Sequence, residues 1–459
     1  MVGSNARDQN AGVELAGIID QSRFNSFQLR VVILLGLVIL FDGFDVQVIT
    51  YVAPILTGVL KIDRSMLGPV FSAALVGTMG GAFLFGPLAD RFGPKKILVC
   101  CVLLFSLCTL ATTTMSSITE LLCWRFLGGL GLGGATPIAV ALASEYCPKA
   151  NRASIVMTMY AGYSVGAAGG GLLSAFLVQR FGWESVFLVG GMLPLILTLM
   201  LVFLLPESLR FLISTGANSN KAASLVSRVD PTFKLQPTQH FVLSEGETGG
   251  FPVGLLFQEG RALRTVVVWI MFFANIISLY FMISWFPTLI NGLGVPLNDA
   301  VIASSLIQIG SILGTITLAT LVRKFSVFGV LGSGFMLGGL SLLLVASAGA
   351  EVPYIMLVAF IAGFFVIGTQ TGANAATALV YPSKMRSTGI GWALGVGRIG
   401  SFVGPAIGGL LIGLKWSIPM LFIAAAFPAL LAAVMAFSLS VILKKSEAAE
   451  KTSAAKSAA

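Results

Sequence analysis

The chain has 459 residues, of which 56% are hydrophobic and 10% charged, and its formal net charge is +9. Apolar runs of bilayer-spanning length recur from Val31 to Leu443 with short polar breaks, which excludes a water-soluble globular domain and describes an all-α polytopic membrane protein. The five cysteines fall in or at the ends of apolar segments without a paired metal spacing, and the one histidine, His240, stands in a polar loop, so neither a metal site, a cofactor site nor a disulfide framework is indicated.

A spanning helix needs about 20 mostly apolar residues. Twelve such segments are expected, beginning near residues 30, 67, 97, 120, 153, 185, 264, 300, 327, 353, 386 and 416. This predicts an N-terminal segment (1–29), a first six-helix bundle (30–206), a central loop (207–263), a second six-helix bundle (264–443) and a tail (444–459). Lys61, Arg64, Arg180 and Lys415 fall at one face and Arg125 and Arg398 inside helices; every other Lys and Arg falls at the face of the termini and central loop. By the positive-inside rule that face is expected to be cytoplasmic, and these loop cations explain the net charge without a nucleic-acid partner. The first thirty residues are polar and show no cleavable signal pattern, so the first apolar run is expected to be a retained helix.

The first helix, around LVILFDGFDVQVITYVAPIL (37–56), places Asp42 and Asp45 three residues apart, on one face. Counted from Arg30 at the membrane edge, Asp42 is roughly 18 Å deep at 1.5 Å per residue. An ionised carboxylate there costs at least about 2.5 kcal/mol, so each acid must face water, pair with a cation or hold a proton. Two neighbouring carboxylates also repel, which favours proton uptake by one of them. Between the second and third helices, GPLADRFGPKK (86–96) reads as a latch: Gly86 and Gly93 give the turn, Arg91 holds it in the cytoplasm, and Asp90 meets a helix end or a cation. In the fourth helix Arg125 reaches a depth close to that of Asp45, and the glycines after it allow close helix packing.

In the second bundle Arg398 lies twelve residues beyond Arg386, again roughly 18 Å deep, where a fixed cation suits an anionic substrate. Asn275, Gln308, Gln370 and Asn374 are expected to supply polar contacts around it, with Trp392 as an aromatic wall.

A shift of 233 or 234 residues lays Leu88-Ala-Asp-Arg-Phe92 on Leu321-Val-Arg-Lys-Phe325, Pro148 and Arg152 on Pro382 and Arg386, and Pro54 on Pro287. Two six-helix halves of one plan put a substrate site at their interface near mid-membrane. The repeat fails where charge is concerned: Asp42 and Asp45 face Asn275 and Ser278, Arg125 faces Ala359, Glu145 faces Leu379, and Arg398 faces Ser164. Packing alone would be served by similar residues in both halves, so this asymmetry reads as divided labour.

The loop GPLADRFGPKK and the Arg125 glycine run resemble the signature motifs of the major facilitator superfamily. Within it, DGFD (42–45), EYCPKANRA (145–153), PESLRFL (206–212) and YPSKMRSTGIGWALGVGRIGSFVGP (381–405) resemble the aromatic acid:proton symporter branch. That resemblance implies the twelve-helix fold and proton-coupled import of small aromatic carboxylates by a chain working as a monomer in the cell inner membrane. It implies proton coupling through Asp42, Asp45 and Arg125, substrate binding at Arg398, and gating by Asp90, Arg91, Glu145, Arg152 and Arg386. The sequence departs from the pattern at Pro94, where the superfamily has a cation, and at Leu379, where relatives have an acid; no histidine beside the membrane is present to relay protons. Uptake of a non-aromatic organic acid or polyol is the competing transport reading. An enzyme would need a nucleophile with its base or a metal cluster, and a receptor a large soluble domain; the sequence carries neither.

Overall fold

A computed structural model of the chain describes residues 13–215, 219–230, 241–242, 253–258, 260–322, 324–382 and 385–458. Among the described residues, twelve helices are long and apolar enough to cross a bilayer. In the first half they are α1 (Ser26–Val59), α2 (Leu67–Phe92), α3 (Pro94–Ala111), α4 (Ile118–Tyr146), α5 (Lys149–Phe181) and α6 (Glu184–Leu204). The second half comprises α7 (Ala262–Gly292), α8 (Leu297–Leu321), α9 (Val327–Ala346), α10 (Val352–Asn374), α11 (Arg386–Gly413) and α12 (Ile418–Ala458). Each begins within four residues of its expected start, because the apolar runs are punctuated by residues that start and stop helices. Asn25 caps α1: its carboxamide oxygen accepts from the backbone of Phe27 and Gln28, while the Gln28 side chain returns to the Asn25 N–H. Gly93, at φ +103°, turns α2 into α3, whose first residue is Pro94.

Two stretches differ from expectation. The tail after Leu443 continues α12 to Ala458, since its Ala, Glu and Lys are strong helix formers and it holds no Gly or Pro to stop the helix. The N-terminal segment and the central loop are also joined rather than separate. β1 (Val13–Glu14) pairs in parallel with β2 (Phe241–Val242), and a short helix Leu15–Gln21 buries Leu15 and Ile19 beside Leu209, Leu212, Val226 and Val229. Asn25 serves both parts, because its amide nitrogen donates to the carbonyls of Arg228 and Val229, each at 2.9 Å, at the end of helix Ser219–Val229. His240 lies outside the described residues.

The two halves repeat in packing as in sequence. Glycines bring α1 against α5 (Gly43 on Tyr163, Gly166 on Leu40) and, in the other half, α7 against α11 (Gly400 and Gly404 on Phe273 and Ile277). The pairs α2 with α4 and α8 with α10 correspond in the same way. Backbone conformation repeats too. Lys61 and Gly294 carry positive φ in the loops after α1 and α7, and Gly182 and Lys415 in those after α5 and α11; both pairs are 233 residues apart.

Where the halves touch decides which way the molecule is open. Among the described residues, close contacts between the halves gather at the face away from the termini, here called the far face. Gly68 of α2 meets Gly409 of α11, Ser72 donates to the Phe402 carbonyl at 2.9 Å, and the Phe71 and Trp285 rings meet edge to face at 5.2 Å. Buried apolar side chains form one cluster drawn from both halves at that face, including Phe71, Phe187, Trp285, Phe286 and Phe422. At the terminal face the clusters separate, one in the first half and one in the second. There the Cβ positions of Gly86, Gly391 and Gly395 meet nothing within 4 Å, and Phe83 is 76% exposed. The structure is closed at the far face and open at the terminal face.

Candidate functional site

Asp42 and Asp45 are both buried within α1 but are held differently. One Asp45 oxygen accepts from the Arg125 Nη1 at 3.2 Å and the other from the Thr109 hydroxyl at 2.5 Å; Arg125 Nη2 also donates to the Asp45 carbonyl at 3.3 Å. With Asp45 2% and Arg125 3% exposed, this pair is sealed among α1, α3 and α4, where taking away either charge strands the other. Asp42 accepts from the Thr136 hydroxyl at 2.5 Å and, among the described residues, forms no ion pair. It lies in the fields of Asp45 and of Arg398 from the other half. Gly43 between the two acids lets α5 close on α1, since a Cβ there would run into the Tyr163 carbonyl.

Arg398 projects from the middle of α11 and is exposed. A guanidinium at that depth must face water, and Gly395 and Gly391, one and two turns before it on the same helical face, meet nothing within 4 Å of their Cβ positions. Among the described residues Arg398 has no ion-pair partner, and its carbonyl accepts from Ser401. An exposed cation of the second half and a buried acid of the first thus lie within each other's field.

The expected polar residues of the second half divide. Asn275 donates to Gln370 at 2.7 Å, and Gln370 donates to Asn374 at 3.0 Å, so α7 and α10 carry one chain of amides that runs from the buried Asn275 to the exposed Asn374. The Asn275 carboxamide oxygen is buried with no protein partner. Gln308 on α8 is 2% exposed, joins no amide of that chain, and leaves its side-chain nitrogen unpartnered. Trp392 is 46% exposed and stacks on Trp269 with centroids 5.8 Å apart.

The residues read as a gate sit at the terminal face. Gly86 is open, Asp90 and Arg91 are exposed, with the Arg91 guanidinium over the Phe92 ring, and Arg386 is exposed at the start of α11. Gly93 lies against the Glu207 carboxylate, which accepts from the Lys95 backbone N–H at 2.9 Å and so caps α3. Glu145 accepts from Ser208 at 2.6 Å, within its own half. Arg152 pairs with Asp20 at 3.2 Å and donates to the Cys147 carbonyl. In this state Glu145 and Arg152 brace the first half, and among the described residues no bond from them crosses to the second.

Thr109 and Thr136, the two hydroxyls that hold the acids, were not legible beforehand. A threonine inside a spanning helix ordinarily bonds its own helix backbone, as Thr112 and Thr198 do here.

Two pseudo-symmetric bundles of spanning helices, parted at one face around a mid-membrane layer of charge, define a multi-pass membrane transporter and not an enzyme. The chain belongs to the Major Facilitator Superfamily, whose family model matches residues 35–350 and 268–458. It is 35% identical to the 4-hydroxybenzoate transporter PcaK of Acinetobacter baylyi, over 95% of this chain and 96% of that one. It is also 35% identical to the gallate transporter of Pseudomonas putida, over 93% and 94%, and 35% identical to the benzoate transport protein of Acinetobacter baylyi, over 92% and 91%. Among solved structures, a D-xylose-proton symporter aligns with a TM-score of 0.70 at 17% identity, covering 90% of this chain and 98% of its own. An inward-facing bacterial homologue of the lysosomal transporter Spinster aligns with a TM-score of 0.68 at 17% identity, covering 92% and 99%.

Proposed function

We propose that the protein is a proton-coupled importer of small aromatic carboxylates of the hydroxybenzoate type, working as a monomer in the cell inner membrane with both termini in the cytoplasm. The observation that carries this reading is that Asp42 of the first half, without a cation of its own among the described residues, lies in the field of Arg398, an exposed arginine of the second half. Arg398 has the geometry for a carboxylate, which it can bind through two parallel hydrogen bonds. Asp42, held by a single threonine and without a cation of its own, is the acid that takes the proton. Asp45 is neutralised by Arg125 and sets the field in which Asp42 titrates. The names of relatives sharing a third of the sequence over nearly the whole chain support the aromatic carboxylate as cargo. The excess of Lys and Arg at the terminal face supports the orientation, in which the state seen here opens inward.

Reconstituted protein in proteoliposomes tests the reading. With an inward proton gradient the wild type is expected to accumulate 4-hydroxybenzoate, and dissipating the gradient should abolish accumulation. Asp42→Asn, a mimic of the protonated acid, should lose accumulation while keeping exchange of internal for external 4-hydroxybenzoate. Full gradient-driven accumulation by an Asp42→Asn, Asp45→Asn double variant would overturn the assignment of the proton site.

A further inference from the structure

Arg125 is only half accounted for by Asp45. Its Nη1 and Nη2 are used on Asp45, but its Nε is buried and meets no protein acceptor. Beside it is a cavity of about 20 Å³, enclosed between the halves just inside the Phe71 and Trp285 contact that shuts the far face. That is room for one water molecule. The polar groups on its wall come from both halves: Thr50, Thr78 and Arg125 from the first, Tyr280 and Ser284 from the second. Among the described residues the Tyr280 hydroxyl has no hydrogen bond to a protein group, and it lies in the fields of both Asp42 and Arg398. Tyr280 therefore stands between the sealed ion pair on one side and the proposed proton and anion groups on the other.

We propose that this cavity holds a relay water, bound between Arg125 and Tyr280, and that Tyr280 is the positioning residue through which the acid pair of the first half is coupled to Arg398 of the second. The proposal rests on the proton-symport reading. While Asp42 is ionised, Arg125 keeps its pair with Asp45 and donates from its free Nε to the water. The water donates to the Tyr280 oxygen, and the phenol directs its own O–H toward Asp42. When Asp42 takes its proton the phenol is released and turns its O–H onto the water; no proton leaves Tyr280, and only the direction of the hydrogen bond between water and phenol reverses. The ionisable groups around this relay are Asp42, Asp45 and Tyr51 on α1, Cys108 on α3, Arg125 on α4, Tyr163 on α5 and Arg398 on α11. None of the others lines the cavity with Arg125, so Tyr280 is the ionisable group that the second half places on its wall.

The test uses the full chain in proteoliposomes with 4-hydroxybenzoate as probe, reading proton entry with an internal pH dye beside substrate entry. Tyr280→Phe is expected to bind 4-hydroxybenzoate within threefold of wild type and to retain exchange, while proton entry per substrate falls at least tenfold. Ser284→Val, which fills the cavity while keeping the Tyr280 phenol, is expected to produce the same fall. A wild-type ratio of protons to substrate in Tyr280→Phe overturns the proposal and leaves symport standing. If that variant does not fold, the same ratio in Ser284→Val overturns it. A loss of binding of thirtyfold or more in Tyr280→Phe would make Tyr280 a substrate contact and overturn the relay. Substrate entry without proton entry in the wild type would overturn the symport reading itself, and the relay with it.

Discussion

The two halves share a backbone plan down to the left-handed residues of their loops, yet they divide the charge between them. The first half buries Asp42, Asp45 and Arg125 and neutralises two of the three within itself. The second half carries amides at the corresponding level and a single arginine that it leaves facing water. Homologous frames thus separate an internally balanced ion pair from an arginine left without a counter-charge among the described residues. In the proposed function, coupling would follow from that separation, because an anion arriving at Arg398 would be felt across the interface by an acid that is not already paired.

The sharpest way to break this comparison is to remove the balance inside the first half. Arg125→Ala leaves the Asp45 carboxylate buried with no cation, which should cost about 3–5 kcal/mol, whereas the matching position of the second half is natively Ala359. Adding Asp45→Asn removes the stranded charge and should recover most of that loss. Thermal unfolding in detergent checks both, and equal midpoints for the single and double variants would mean that the pair is not a closed electrostatic unit.

In the second half the expected effect falls on binding and not on stability. Arg398→Ala should leave the unfolding midpoint unchanged and weaken 4-hydroxybenzoate binding about 10- to 100-fold, the worth of one charge-assisted pair. Arg398→Lys should recover part of it, since an ammonium cannot reproduce the planar fork. An uncharged amide analogue should lose little further affinity on Arg398→Ala. Titration calorimetry that found equal losses for acid and amide would make Arg398 a structural residue.

Gly93 marks a smaller difference between the halves. It combines φ +103° with a Cβ position 2.9 Å from the Glu207 carboxylate, while residue 326, its counterpart, is a serine of ordinary conformation. Gly93→Ala should cost about 1–2 kcal/mol, and Ser326→Ala less than about 0.5 kcal/mol, both read from unfolding midpoints. The smallest effects belong to the loops in which the halves agree. Lys61 and Lys415 carry a positive φ where glycine carries one at the matching position of the opposite half, so Lys61→Gly and Lys415→Gly should be neutral or stabilise by less than about 1 kcal/mol, while Gly294→Ala and Gly182→Ala should destabilise by about 1 kcal/mol.

Much of this was legible in the sequence because bilayer physics makes it so. Twelve apolar runs can only be helices where no water satisfies the backbone, and acids or arginines in those runs announce themselves by their cost. What the sequence hid were partners that look ordinary. Thr109 and Thr136 are indistinguishable from threonines that bond their own helix, and the link between Glu145 and Ser208 spans 63 residues with no pattern to reveal it. The joining of β1 and β2, two residues each, is too short to leave an alternating signature. The choice of open face also left no trace, since the same residues must form both gates in turn.

The shared apolar cluster at the far face has a thermodynamic consequence. Opening that face would wet Phe71, Trp285 and their neighbours, and the terminal face that closes in exchange presents Asp90, Arg91, Lys95 and Lys96. Exposed apolar surface raises heat capacity and exposed polar surface lowers it. The state open at the far face therefore has the larger heat capacity, and cooling weakens the apolar contact that opposes it. The balance between the two states is a curved function of temperature, so turnover will depart from a straight Arrhenius line even where substrate affinity does not change.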